Sequence, residues 1–197
     1  MAIIRENNFL SKHKDDIFTQ TTQKPFIGQE FLTWLWYSTE TNYGLFQIKL
    51  DDGGIKKVQI GIDDRMVLVS KIGKSHEHII KGGVPSTSDE AAMALRNGKF
   101  VKELKIWFEI DDVGIFSANL TGDVTTAKCI KLPEPSETES QDAVSQRIEF
   151  LNIFSRTMDE IFGKFMDERT DKLWETKGIN SIRQWIQSRQ HGAKTIN

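Results

Sequence analysis

"KFVKELKIWFEIDDVGIFSANLTGDVTTAKCIKL", Lys99 to Leu132, decides the fold. Phe100, Leu104, Ile106, Phe108 and Ile110 share one face of a period-two pattern, with Lys102 as the exception at its early end. Val101, Glu103, Lys105, Trp107 and Glu109 take the other face. Alternation of this kind is that of a strand, whose successive side chains point to opposite sides of a sheet. Asp111 to Gly114 and Thr121 to Asp123 carry turn residues. Connections this short leave no room for a parallel crossover, so the stretch predicts three antiparallel strands in a meander.

Working outward, "PSTSDEAAMALRNGK" predicts a helix over 88–97. Thr87 and Glu90 have capping-box spacing, and Asn97-Gly98 supplies a left-handed stop. Further upstream, "GLFQIKL" alternates and is followed by the hairpin turn signal "DDGG" at 51–54. "KKVQIGI" and "RMVLVS" read as two more short strands separated by Asp63-Asp64, and residues 71–86 as a loop. In "FIGQEFLTWLWYSTE", Phe26 to Glu40, the residues Phe31, Leu32, Leu35 and Trp36 form a helical stripe. That run is far shorter than the roughly 20 residues a membrane-spanning helix needs. It predicts a helix over 28–39 that walls a core, with Trp34 on its flank, where the indole N–H can reach a partner.

Downstream, Pro133 and Pro135 end the sheet, and a long helix begins near Asp142. Val144, Ile148, Leu151, Ser155, Met158, Phe162 and Phe165 follow at alternating spacings of four and three, with Phe154 and Ile161 widening the stripe. Such a seam packs on its own sheet or on a second copy of itself, so Ile148, Leu151, Met158, Phe162 and Phe165 are expected at a homodimer interface. A last helix is expected near Ile179 to Ser188. The expected class is α+β, with antiparallel meanders, covering helices and a long C-terminal helix. The expected division is an extension over 1–25, a domain over 26–168 and a helical, basic tail over 169–197. Residues 133–168 carry a net charge of −6 and residues 169–197 one of +4, the pattern of solvated helix faces and a basic tail.

At 197 residues with a net charge of −2, the chain exerts no global pull on nucleic acid. Its single Cys129 cannot pair within the chain, and Met1 to Leu10 is not a basic-then-apolar leader. A cytoplasmic protein is expected.

Catalytic constellations are absent from the pattern. His76 and His78 alternate as half a metal site would, yet no CxxC or HExxH completes it. Asp51-Asp52, Asp63-Asp64 and Asp111-Asp112 sit where turns are expected. "GGVPSTS" lacks the Gly-Lys-Ser/Thr ending of a phosphate loop. Cys129 reads as a buried small residue of a strand. The expectation is a protein that is not an enzyme, with no metal, no cofactor and no small-molecule substrate. What remains is basic decoration of a sheet by Lys56, Lys57, Lys99, Lys102, Lys105, Lys128 and Lys131, with Trp107 as an exposed-face candidate. Spaced cations of this kind suit a phosphate backbone.

"TSDEAAMALRNGKFVKELKIWFEIDDVGIFSANLTGDVTTAKCI", Thr87 to Ile130, resembles the C-terminal half of the recombination-associated protein RdgC family. The shared features are a Thr-Ser-x-Glu helix start, Gly-Lys before an alternating apolar strand, and a strand-turn-strand with Gly at the second turn. "FLTWLW", "GLFQIKLDDGG" and "AVSQRIEFLNIFSRTMDEIFGKFMDE" fall where that family has its corresponding helix, strand and helix, so the resemblance spans Phe26 to Glu168. It implies a nucleoid-associated, sequence-nonspecific duplex DNA-binding protein. It also implies a homodimer, which in that family closes a ring around DNA, and a part in restraining RecA-driven recombination. Carried onto this chain, the phosphate contacts fall to Lys99, Lys102, Lys105, Lys128 and Lys131. Two departures weaken that carry-over: the family's N-terminal half has no counterpart in this sequence, so two copies are not expected to build the same ring without rearrangement, and basic residues thin out. Thr125-Thr126 stands where the family tends to carry Lys-Arg, and a family Lys falls on Glu103. The alternative is a protein-interaction or scaffold domain of the same fold without DNA affinity.

Overall fold

The computed structural model describes residues 27–49, 53–70, 77–122, 126–136 and 140–189. The alternation at its centre forms strand β4, Phe100–Ile110, and the turn at Asp111–Val113 returns the chain along β5, Gly114–Thr121. Strand β6, Thr126–Lys131, completes the meander. Upstream, α1 (Ile27–Thr41) leads into β1 (Leu45–Lys49), β2 (Ile55–Val69), β3 (His78–Lys81) and α2 (Asp89–Arg96). Downstream, α3 (Ser140–Thr170) and α4 (Ile179–Ser188) close the chain.

All pairings are antiparallel, and the six strands make one sheet of order β1-β2-β4-β5-β6. β3 shares the β1 side of β2, pairing with its second half as β1 pairs with its first. The β4-β5-β6 meander is thus joined through β4 to β2, which carries β1 and β3 along its other edge, and the fold is α+β as its sequence predicts.

The helices lie on one face of this sheet, where β4 sends Leu104, Ile106, Phe108 and Ile110, all buried. Phe108 stacks on Phe116 at 4.9 Å and meets Phe154 of α3, and Trp34 of α1 meets Phe46 of β1. The stretch Phe31 to Trp36 is the core wall its stripe predicts. The Trp34 indole N–H donates to Glu168 at 2.8 Å, and Arg169 bridges to the buried Glu30 at 2.6 Å, so α1 holds the end of α3. Trp174, from the helical turn Trp174–Gly178 between α3 and α4, joins the same core with Ile179, Ile182 and Ile186 of α4. Arg189 lies over the rings of Trp36 and Trp185 and bonds Glu40 and the Ser86 carbonyl.

Several local expectations change. Asp63-Asp64 does not separate two strands, because β2 runs on through it. Pairing of Ile62 with Ile106 and of Met66 with Leu104 leaves Asp63, Asp64 and Arg65 opposite Lys105 alone, which is a bulge. The stretch 71–86, expected as a loop, contains β3 and a turn of 3-10 helix at Pro85–Thr87; residues 71–76 lie outside the described residues. The cap of α2 is Ser88, whose hydroxyl accepts from the Ala91 N–H at 3.1 Å, while Thr87 donates back to Val84. Thr87 and Glu90 therefore make no capping box. The left-handed stop is present at Gly98, φ +74°, with the Lys99 N–H returning to Ala94 O.

The long helix buries one flank of the expected seam, the side that Phe154 and Ile161 occupy and that Phe165 joins. Phe150, Phe154, Thr157, Ile161 and Phe165 face the core, one step around the helix from Val144, Ile148 and Leu151. No helix among the described residues is long and apolar enough to cross a membrane.

Candidate nucleic-acid interface on the open sheet face

The sheet face away from the helices is polar and solvent-accessible. β4 contributes Glu103, Lys105, Trp107 and Glu109 to it, and β5 contributes Ile115, Ser117, Asn119 and Thr121. Trp107 lies against Gly61 of β2, where a Cβ would come within 2.4 Å of the indole. The missing side chain makes the notch that Trp107 fills, so its half-buried ring is part of the sheet surface.

A depression of about 320 Å³ crosses this face, with Lys81 of β3, Arg65 of β2, Lys105 of β4 and Lys131 of β6 in its lining. Asp64, Asn119 and Cys129 complete the lining. Irregular pairing on β2 and β6 brings these cations together, and a further irregularity on β4 concerns Lys102. The β2 bulge sets Arg65 beside Lys105 and opposite Lys81. In β4, Glu103 pairs with Val67 while Val101 pairs with Leu68, so Lys102 has no counterpart on β2. In β6, Lys128 pairs with Asn119 and Lys131 with Ser117, both on the open face. Two residues three apart on a regular strand point opposite ways. The bulge at Cys129, φ +53°, turns Lys131 back to the side of Lys128.

Acids temper this charge. Lys105 Nζ lies 2.8 Å from Asp64 and 2.9 Å from Asp63, and Arg65 Nε lies 2.9 Å from Glu103. The hydrogen bond from Lys105 holds the Asp64 carboxyl below its ordinary value of 3.8, with Lys131 adding a smaller attraction. Reciprocally, the bonds to Asp64 and Asp63 raise the Lys105 ammonium above 10.5. Both groups are therefore charged throughout the neutral range.

The expected phosphate-contacting lysines divide into two groups. Lys105, Lys128 and Lys131 lie together on the open face, the last two exposed. Lys102 sits toward β3, paired with Glu77, and Lys99 precedes β4, half-buried beyond the helix stop. The expected set is thus not one cluster. Arg65 and Lys81, absent from that expectation, join Lys105 and Lys131 instead. The signal for Arg65 lay in the acidic pair beside it, which is a bulge rather than a turn. Lys81 lay in a stretch taken as a loop.

The expected dimer residues also divide. Phe165 is wholly buried, packed on Phe31, Trp34 and Trp174, so it belongs to the core and not to an interface. Ile148 and Leu151 are 56% and 44% exposed. Met158 and Phe162 are half-buried along a groove of about 550 Å³ between α3, the start of α1 and strands β5 and β6.

Among the described residues no group of His, Cys, Asp and Glu is placed to hold a metal. His78 lies 3.9 Å from Glu90, and His76 falls outside the described residues. Cys129 is exposed rather than buried, because it sits at the β6 bulge. No family model, no curated protein and no solved structure matches this chain.

Proposed function

We propose that this chain is a non-enzymatic module that holds the phosphate backbone of duplex DNA on the open face of its sheet, without reading base sequence. The observation that carries this reading is the depression into which four strands send Lys81, Arg65, Lys105 and Lys131. Cations spaced across a pleated surface meet phosphates without a base-edge code, so affinity comes from counterion release and not from sequence. The resemblance to RdgC leads to the same class of ligand from a different direction, and a role in modulating recombination rests on that resemblance alone.

A duplex-DNA shift assay at two salt concentrations tests this. With four phosphate contacts, the slope of log affinity against log salt is expected near −3.6, about 0.9 per contact, and equal for unrelated sequences. Absence of binding at low salt would overturn the proposal.

One observation favours the second reading, an interaction or scaffold domain of the same fold. Lys102 and Lys105 both pair with acids of their own chain, which lowers the free positive charge of the face.

A further inference from the structure

The stripe on α3 that the core leaves uncovered changes character along the helix. From Val144 to Leu151 it is a ridge: Val144 and Ile148 are more than half exposed, and no described side chain from Gln141 to Glu149 is buried. From Leu151 to Phe162 the same stripe is one wall of the apolar groove, whose floor includes Phe31, Leu120 and Ile130. Hydrogen bonds between Gln146 and Ser136 tie this segment to the chain before it, but its apolar ridge has no apolar cover among the buried residues. Groove and ridge lie on one face of one helix and both are apolar, so each is a surface on which the other can be buried.

We infer that α3 pairs antiparallel with α3 of a second copy of this chain, each copy laying its ridge into the other's groove. A two-fold axis between Leu151 and Ser155 fixes the register. It sets Val144 against Phe162 of the second copy, Ile148 against Met158, and Leu151 against the small Ser155. Each side thereby receives what it lacks, as an isologous interface requires. Charge agrees with this register: Asp159 is the one charged residue among the described groove lining, and Arg147 arrives at its level from the other copy. A parallel pairing would set ridge on ridge and leave both grooves empty. The inference is independent of the DNA reading, since the helix lies on the opposite side of the sheet from the cations.

Sedimentation or light scattering of the full chain, at up to roughly 100 µM where even a micromolar dimer is nearly complete, tests association. The wild type is expected as a dimer. Ile148→Glu, at an exposed position, is expected to weaken it by about 100-fold or more, because two isoleucines leave the interface. Its circular dichroism is expected to keep the wild-type strand content. In a Cys129→Ser background, Asn152→Cys near the two-fold axis is expected to form a disulfide-linked dimer on oxidation. Ser145→Cys, far from the axis, is expected to stay uncrosslinked. A wild-type monomer at every concentration would overturn the inference. So would an Ile148→Glu chain as dimeric as the wild type, or Ser145→Cys crosslinking as fully as Asn152→Cys.

Discussion

Strand β4 has two sides with opposite economies. Toward the helices it presents Leu104, Ile106, Phe108 and Ile110, each at most 1% exposed, with Phe108 packed on the rings of Phe116 of β5 and Phe154 of α3. Toward solvent the same eleven residues present Glu103, Lys105 and Glu109 around a Trp107 that fills a glycine notch. The first side contributes stability through burial, which scales with apolar area removed from water. The second contributes little, because exposed ion pairs are worth no more than about 1 kcal/mol. Residues free of a stability role are available for a ligand, and this difference places the candidate interface on the open face.

The comparison breaks if substitutions on the two faces cost alike. Phe108→Ala is expected to lower unfolding free energy by about 3–5 kcal/mol in urea denaturation, since it empties a stacked, wholly buried site. Lys105→Ala, three positions earlier on the same strand and on its opposite face, is expected to stay within about 0.5 kcal/mol of the wild type. Equal losses would mean that the open face is structural.

Gly61→Val probes the one place where the open face is packed. The new side chain must displace the Trp107 indole, and a loss of about 1–3 kcal/mol is expected. In a Trp107→Ala background most of that loss should vanish, a coupling that a double-mutant cycle measures. Additive losses would show that Gly61 serves something other than Trp107.

The smallest effect concerns pH. Because folding depresses the Asp64 pKa, its contribution is present above 3.8 and is lost as pH falls through the lower folded value. The raised Lys105 pKa acts in the other direction: its contribution is present below 10.5 and is lost as pH climbs through the raised value. Asp64→Asn is therefore expected to lower the neutral plateau of a stability–pH curve slightly and to leave stability at the acid end unchanged, which flattens the acid limb. An unchanged acid limb would show that the pair adds nothing to folding.

The faces themselves were legible. Alternation at 100–110 and 45–49, the turns at Asp111–Val113, and the stripe at Phe31–Trp36 each reflect burial, which leaves a periodic trace in residue type. The candidate site was legible only in part, because a period-two reading assumes one residue opposite one. At Asp63–Arg65, Lys102 and Cys129 the pairing is uneven, and each bulge changes which side its neighbours face. Thus Lys128 and Lys131 share a face that strict parity denies them. The hydrophobic spacing on α3 was sound as a stripe but ambiguous as to partner. Phe154 and Ile161 lie one helical step from Ser155 and Phe162 of the seam, and only the position of the sheet decides which side goes inside.

The central claim, that the open face holds DNA phosphates, is tested most directly by opposing charge changes in one titration with a fluorescent duplex at low salt. The pair Lys81→Glu with Lys131→Glu reverses two cations of the depression, whereas Asp63→Asn with Asp64→Asn releases Lys105 from its own acids. The account predicts that the first pair abolishes binding and the second tightens it, with melting temperatures close to that of the wild type for the first pair. Wild-type binding that neither pair alters, or no wild-type binding at all, would contradict it.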